Sequence, residues 1–283
     1  MSTASFTTYD TAWCPGCGNF SILDCLKTAL TELGKDPYEV LMVAGIGQAA
    51  KTPQYISANN FCGLHGRSLP AAVAAKIANE KLTVIVDTGD GDSYGEGGNH
   101  FIHNIRRNVN ITHFVHDNQI YGLTKGQASP TSIEGLITPV QVSGNMNTPL
   151  NPPLLAIAAG AGFVARGFSG NKAHLISLMK QAIEFDGYAL VDILQPCVSF
   201  NKVNTFTYYN SRVYELDEAY DPSNKVSALE KSMEFGDRIP IGVIYREDKP
   251  SFHRKNMILK DGIPLLDKKT DPSVVQQMID SFI

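Results

Sequence analysis

Two short stretches set oxygen ligands and bare backbone where strands should end. Gly89-Asp90-Gly91-Asp92 follows the apolar run Lys81 to Asp87, and Asn118 follows a second run, Ile111 to His116. Gly89 and Gly91 permit a sharp turn and a close approach of backbone to ligand, which a Cβ would obstruct. Asp90 supplies the hard carboxylate oxygen that Mg²⁺ or Ca²⁺ prefers. Alone, a Gly-Asp-Gly is most often an ordinary turn. The chain between Gly91 and Asn118, however, has room for one crossover helix, Gly98 to Asn108, and one parallel strand. A right-handed βαβ unit sets two strand ends side by side, so Asp90 and Asn118 can share one cation and, through it, a diphosphate.

Sulfur forms the second constellation. The chain has five cysteines, and the segment Met1 to Phe6 has neither the basic start nor the apolar core of a signal peptide. A cytoplasmic location is expected, and there thiols point to metal or redox chemistry rather than disulfides. In Cys14-Pro15-Gly16-Cys17-Gly18, two thiolates three positions apart can chelate one centre, with Pro15 and Gly16 shaping a turn whose amides can face cluster sulfurs. Cys25 falls inside the helical pattern Asn19 to Leu33 and reads as a small core residue. Cys197 follows the apolar strand Tyr188 to Leu194, which would deliver it to the same sheet edge as Asp90 and Asn118. Cys14 and Cys17 with Cys62 and His65 also form a formal Cys3His zinc set, but the interval between the pairs is far longer than in usual zinc modules.

The elements that must position these residues read as repetitive α/β. Tyr38 to Ala44 is an expected strand ending in a second glycine turn, Gly45-Ile46-Gly47. Leu69 to Glu80 reads as an alanine-rich helix. Pro152 to Gly160 and Lys172 to Phe185 read as helices flanking the strand Phe163 to Phe168. Apolar strands alternating with helices indicate one parallel sheet covered on both faces. After Val203 the pattern fades. The expected division is an α/β domain over 1–203 and a C-terminal extension over 204–283 that packs on a partner or folds over the sheet edge. Hydrophobic content of 43%, charged content of 18% and a net charge of −4 over 283 residues describe an ordinary globule and give no support for a nucleic-acid partner. No run of 18 apolar residues suggests a membrane span.

Gly89-Asp90-Gly91 followed by Asn118 resembles the thiamine diphosphate signature. More narrowly, Tyr94-Gly95-x-Gly97-Gly98-x-His100-Phe101-Ile102-His103, Arg106-Arg107-Asn108 and Asp117 through Gln127 resemble the β subunits of 2-oxoacid:ferredoxin oxidoreductases, over Trp13 to about Asn201. The resemblance implies a thiamine diphosphate-binding fold that decarboxylates a 2-oxoacid such as 2-oxoglutarate or pyruvate oxidatively, transferring the acyl group to coenzyme A. It implies Mg²⁺ on Asp90, Asn118 and the Ile120 carbonyl. Gly45, Ile46, Gly47, His65, Gly66, Arg67, Gly89, Gly91, Asp92, Tyr121, Gly122, Leu123 and Thr124 then line the cofactor. Lys125 would meet a second substrate carboxylate, with Lys51 a weaker candidate. Cys14, Cys17 and Cys197 match three ligands of a 4Fe–4S cluster that passes electrons to ferredoxin. The family's fourth cysteine falls where this chain has Gln48, and Cys62 is the available substitute. The activating glutamate belongs to an α subunit in this family, which implies an obligate partner. Two other classes remain: a thiamine-dependent decarboxylase or carboligase half-chain without electron transfer, and a non-catalytic metal-binding subunit.

Overall fold

A computed structural model describes residues 6–283, so the reading of Met1 to Ser5 lies outside the described residues. Eight strands form one sheet: β1 (Val40–Ala44), β2 (Asn59–Cys62), β3 (Thr83–Gly89), β4 (Ile111–Asp117), β5 (Phe163–Phe168), β6 (Tyr188–Leu194), β7 (Val213–Glu215) and β8 (Ile239–Arg246). Their order is β2-β1-β3-β4-β6-β5-β8-β7. Strands β1 to β6 are mutually parallel, and β8 runs antiparallel to β5.

Helices cover both faces. On one side α1 (Gly18–Glu32) and α5 (Lys172–Glu184) bring Ile22, Leu26, Leu30, Leu175 and Met179 onto Met42, Ile85, Phe114 and Val191. On the other, α2 (Ser68–Ala78), α3 (Gly98–Arg107) and α4 (Pro152–Ala158) set Leu69, Ala72, Phe101, Ile105 and Ile157 against Val43, Val86, Val115 and Leu190. Alternate residues of each strand thus face opposite cores, which is why the central strands are apolar at neighbouring positions rather than at every second one.

Strand β4 is buried along its whole length despite Thr112, His113, His116 and Asp117. Buried polar groups need partners, and these have them. His113 Nδ1 meets the Tyr188 hydroxyl at 2.7 Å, and its Nε2 meets the Ser93 hydroxyl at 2.9 Å. Burial pushes the His113 pKa down to about 3, so its ring is neutral. His116 Nε2 lies 3.1 Å from Asp87, and its Nδ1 meets Asn19 of α1 at 2.7 Å. Asn108 ends α3 in the left-handed conformation at φ 52, and its side-chain oxygen accepts from Tyr188 N at 3.0 Å.

The sheet continues past residue 203, where the sequence pattern fades. α6 (Phe206–Asn210) leads into β7, and α7 (Lys225–Met233) into β8. Ile239, Ile241 and Ile244 of β8 are buried, and the strand pairs with β5. The mixed, polar stretch from Tyr208 to Lys225 hides this continuation, because β7 is a short edge strand of three residues. Beyond β8 lie α8 (Phe252–Lys255) and α9 (Pro272–Asp280), and α9 buries no residue.

Candidate functional site

Parallel pairing brings the carboxyl ends of β1, β3 and β4 to one edge of the sheet, and the turns leaving them build a cavity of about 350 Å³. Ile46 and Gly47 line it from β1, Gly89 to Asp92 from β3, and Asn118, Ile120, Tyr121, Gly122, Leu123 and Thr124 from β4. His65 and Glu96 also reach it. Glycine is required at Gly91, where a Cβ would overlap the Tyr121 ring.

Asp90 is fully buried, and burial raises its pKa. Its Oδ2 accepts hydrogen bonds from Ser129 at 2.5 Å and Thr131 at 2.6 Å, which hold the carboxylate in one orientation. Thr131 also lies 2.8 Å from Asp117 Oδ1. Burial first, then the neighbouring Asp192 and Asp90, hold Asp117 well above the usual carboxylate range. Asn118 Oδ1 accepts from Ile120 N at 2.9 Å and retains its second lone pair. A buried, oriented carboxylate beside a side-chain carbonyl at the next strand end is an oxygen donor set suited to Mg²⁺.

Asp92 has a different task from Asp90. Its Oδ1 accepts from Ile46 N at 3.0 Å and Gly66 N at 2.8 Å, tying the β1 turn to the segment before α2. Gly45 and Gly66 therefore support the cavity from behind: a Cβ on Gly45 would collide with the Asp92 carboxylate, and one on Gly66 with the Glu96 backbone. Arg67 is exposed, does not line the cavity and contacts His100. Lys125 is exposed immediately beyond Thr124 at the rim, with φ of 82. Sequence reasoning misses Ser129 and Thr131. Their only signal is a cluster of hydroxyls in Ser129-Pro130-Thr131-Ser132, a loop without periodicity.

Beside this cavity lies a smaller one lined by Trp13, Cys14, Cys17, Gln48, Asn118, Gly122, Gln195, Cys197 and Phe200. The turn before α1 and the turn after β6 thus bring three thiols together, as their sequence positions suggest. Gln195 Nε2 donates to Cys17 Sγ at 3.4 Å, and burial pushes the Cys17 thiol up to about 11. Cys62 is absent from this wall. It ends β2 at the sheet edge, exposed, opposite Ala44. The loop that would have folded it back instead forms the helical turn Ala49–Gln54 and the Thr8–Ile56 bridge, then runs out along β1. Among the described residues no three His, Cys, Asp or Glu side chains are gathered to hold a single metal ion, so the Cys3His zinc set is not formed. Cys25 is buried in the core beneath α1.

Among the described residues no helix is long and apolar enough to cross a membrane. Residues 40–193 match the family model described as thiamine pyrophosphate enzyme, C-terminal TPP binding domain, and residues 197–261 match the model for the C terminal of the pyruvate ferredoxin oxidoreductase beta subunit. The chain is similar to the 2-oxoacid:ferredoxin oxidoreductase subunit beta of Saccharolobus solfataricus, 46% identical over 87% of this chain and 85% of that one. It is 33% identical to the 2-oxoglutarate synthase subunit KorB of Methanocaldococcus jannaschii, over 85% of this chain and 89% of the relative. A solved 2-oxoglutarate:ferredoxin oxidoreductase from Magnetococcus marinus, with 2-oxoglutarate, coenzyme A and succinyl-CoA bound, superposes with a TM-score of 0.86 at 37% identity, covering 88% of this chain and 85% of that one. The strand-end cavity, the domain match and these relatives lead to one conclusion: the chain belongs to the β subunits of the 2-oxoacid:ferredoxin oxidoreductases.

Proposed function

We propose that this β subunit holds thiamine diphosphate and Mg²⁺ in the 350 Å³ cavity and, with an α subunit that bears the activating glutamate, converts 2-oxoglutarate and coenzyme A to an acyl-CoA, with ferredoxin as electron acceptor. Asp90 carries this reading. It is a buried carboxylate fixed by two hydroxyls, beside Asn118, in a cavity floored by glycine. Asp90, Asn118 and the Ile120 carbonyl would hold the ion. Thr131 and Ser129 keep the Asp90 oxygen aimed. Thiamine diphosphate, when bound, supplies the carbanion chemistry that the side chains here cannot. Leu123 and Thr124 form the rim over which a 2-oxoacid enters. Lys125, just outside, pairs with a distal carboxylate and so favours 2-oxoglutarate over pyruvate.

The three-thiol cavity supports a 4Fe–4S cluster in the same subunit. Cys14, Cys17 and Cys197 line one cavity, and thiolates are the ligands that iron–sulfur clusters take. The exposed apolar side chains of α9, Val274, Val275, Met278 and Ile279, suit a surface covered by the α partner. The test is titration calorimetry of the anaerobically purified complex with thiamine diphosphate, with and without Mg²⁺, alongside 2-oxoacid-dependent reduction of ferredoxin. Cofactor binding that ignores Mg²⁺, or a complex that reduces no acceptor with any 2-oxoacid, overturns the proposal.

A further inference from the structure

On the reading that the three thiols hold a 4Fe–4S cluster, we infer that Gln48 stands at the cluster's fourth corner, so that one iron has no thiolate from this chain and is exchangeable. Gln48, Asn118 and Gly122 are the residues that line both the cofactor cavity and the cysteine cavity. The Gln48 backbone is fixed, since its carbonyl accepts from Trp13 Nε1 at 2.8 Å, one residue before Cys14. Its side-chain Oε1 is buried and has no hydrogen-bond partner among the described residues. Buried oxygens are nearly always met by a donor or an ion. Gln195, which also lines the cysteine cavity, has a buried Oε1 without a partner too, but its Nε2 donates to the Cys17 sulfur. Gln195 therefore supports a thiol, whereas the Gln48 Oε1, also on the wall of the cysteine cavity, has no such commitment. Cys62 does not reach this wall.

An amide oxygen is a neutral, hard donor and holds iron in a sulfide cluster far less firmly than a thiolate. One-electron oxidation of such a cluster releases the weakly held metal: [4Fe–4S]²⁺ gives [3Fe–4S]⁺ and Fe²⁺, and the electron goes to the oxidant. No bond to Cys14, Cys17 or Cys197 breaks. Because Gln48 borders the cofactor cavity, the exchangeable corner lies on the side nearest the electron donor.

The experiment uses the anaerobically purified αβ complex, with ferricyanide as oxidant, low-temperature electron paramagnetic resonance and iron analysis. Oxidation should produce a 3Fe–4S signal and release roughly one quarter of the cluster iron, and Fe²⁺ with dithionite should restore both. Gln48→Cys should abolish the signal and the loss, while Cys62→Ser should behave as wild type. Wild-type complex that keeps all its iron without a 3Fe–4S signal overturns the inference but leaves the cluster reading standing, and so does a Cys62→Ser complex that carries less iron and sulfide than wild type before any oxidant is added. Wild-type and Gln48→Cys complexes that both lack iron and sulfide overturn the cluster reading and the inference with it.

Discussion

The proposed cation cradle and the cysteine cavity share a wall at Gln48, Asn118 and Gly122, yet they are held together differently. In the cradle the candidate ligands and their supports are already oriented by hydrogen bonds within the protein. Asp90 is bonded to Ser129 and Thr131, Asp92 to two backbone amides, and Asn118 to Ile120 N. In the cysteine cavity the Oε1 atoms of Gln48 and Gln195 are buried without partners, and the Cys17 thiol is held protonated by burial. Preorganised sites bind without rearranging. A site of thiols must shed protons when it takes its metal, so its order arrives with its guest. The cradle should therefore exist before loading, and the cysteine cavity should be completed by it.

The sharpest way to break this contrast is Asp90→Ala. On the proposed reading the ion loses its only anionic side-chain ligand, and Mg²⁺-dependent cofactor binding should fall by more than about a hundredfold in calorimetry, beyond the range seen when only a group supporting a ligand is lost. The iron content should not change, and a parallel loss of iron would mean that the two sites are not independent. Thr131→Val removes one of the hydroxyls that aim Asp90 and should weaken Mg²⁺ affinity by roughly ten- to a hundredfold. An unchanged affinity would show that the bonds beneath Asp90 contribute nothing to preorganisation.

Lys125→Ala tests the rim instead of the floor. Loss of a charge-assisted contact worth about 1.5–3 kcal/mol should lower kcat/KM for 2-oxoglutarate roughly ten- to a hundredfold and leave pyruvate nearly unaffected. Equal losses on both substrates would move Lys125 from substrate selection to general positioning. The smallest effect concerns His113, whose ring supports Ser93 behind the cradle. Its pKa lies at about 3 in the folded chain against an ordinary value of 6.5, so between those values the unfolded chain binds a proton that the folded chain does not. Its contribution to stability is thus lost as pH falls from 6.5 toward 3. Thermal melting of His113→Asn should show a shallower decline than wild type between neutral pH and that lower bound. An identical decline would mean that the ring protonates inside the fold.

Much of this molecule is legible in its sequence because the central strands are buried on both faces. Tyr188–Leu194 and Phe163–Phe168 carry apolar runs, interrupted only by Asp192 and Arg166, and begin and end where the sequence places them. The glycine turns are equally plain, since Gly91 and Gly45 stand where a side chain would collide. Three things are hidden. β7 and β8 follow a polar stretch, and β8 joins the sheet by pairing with β5, far away in sequence. Ser129 and Thr131 act through a loop whose fold is set by what it touches. Cys62 carries the right atom, but its place at the end of an edge strand depends on how the segment from Ala49 to Ile56 folds, which no spacing rule encodes.

The last helix has a consequence for motion. Isolated helices shorter than about 12–15 residues are marginal in water, and α9 has 9 residues, none of them buried. Its shape cannot be secured by the body of this subunit. In the free β chain its amides should exchange with deuterium almost as fast as in an unfolded peptide, while those of β4 and β6 persist longest. On assembly with the partner that covers Val275 and Met278, α9 should become one of the most slowed segments, so its exchange rate serves as a clock for complex formation.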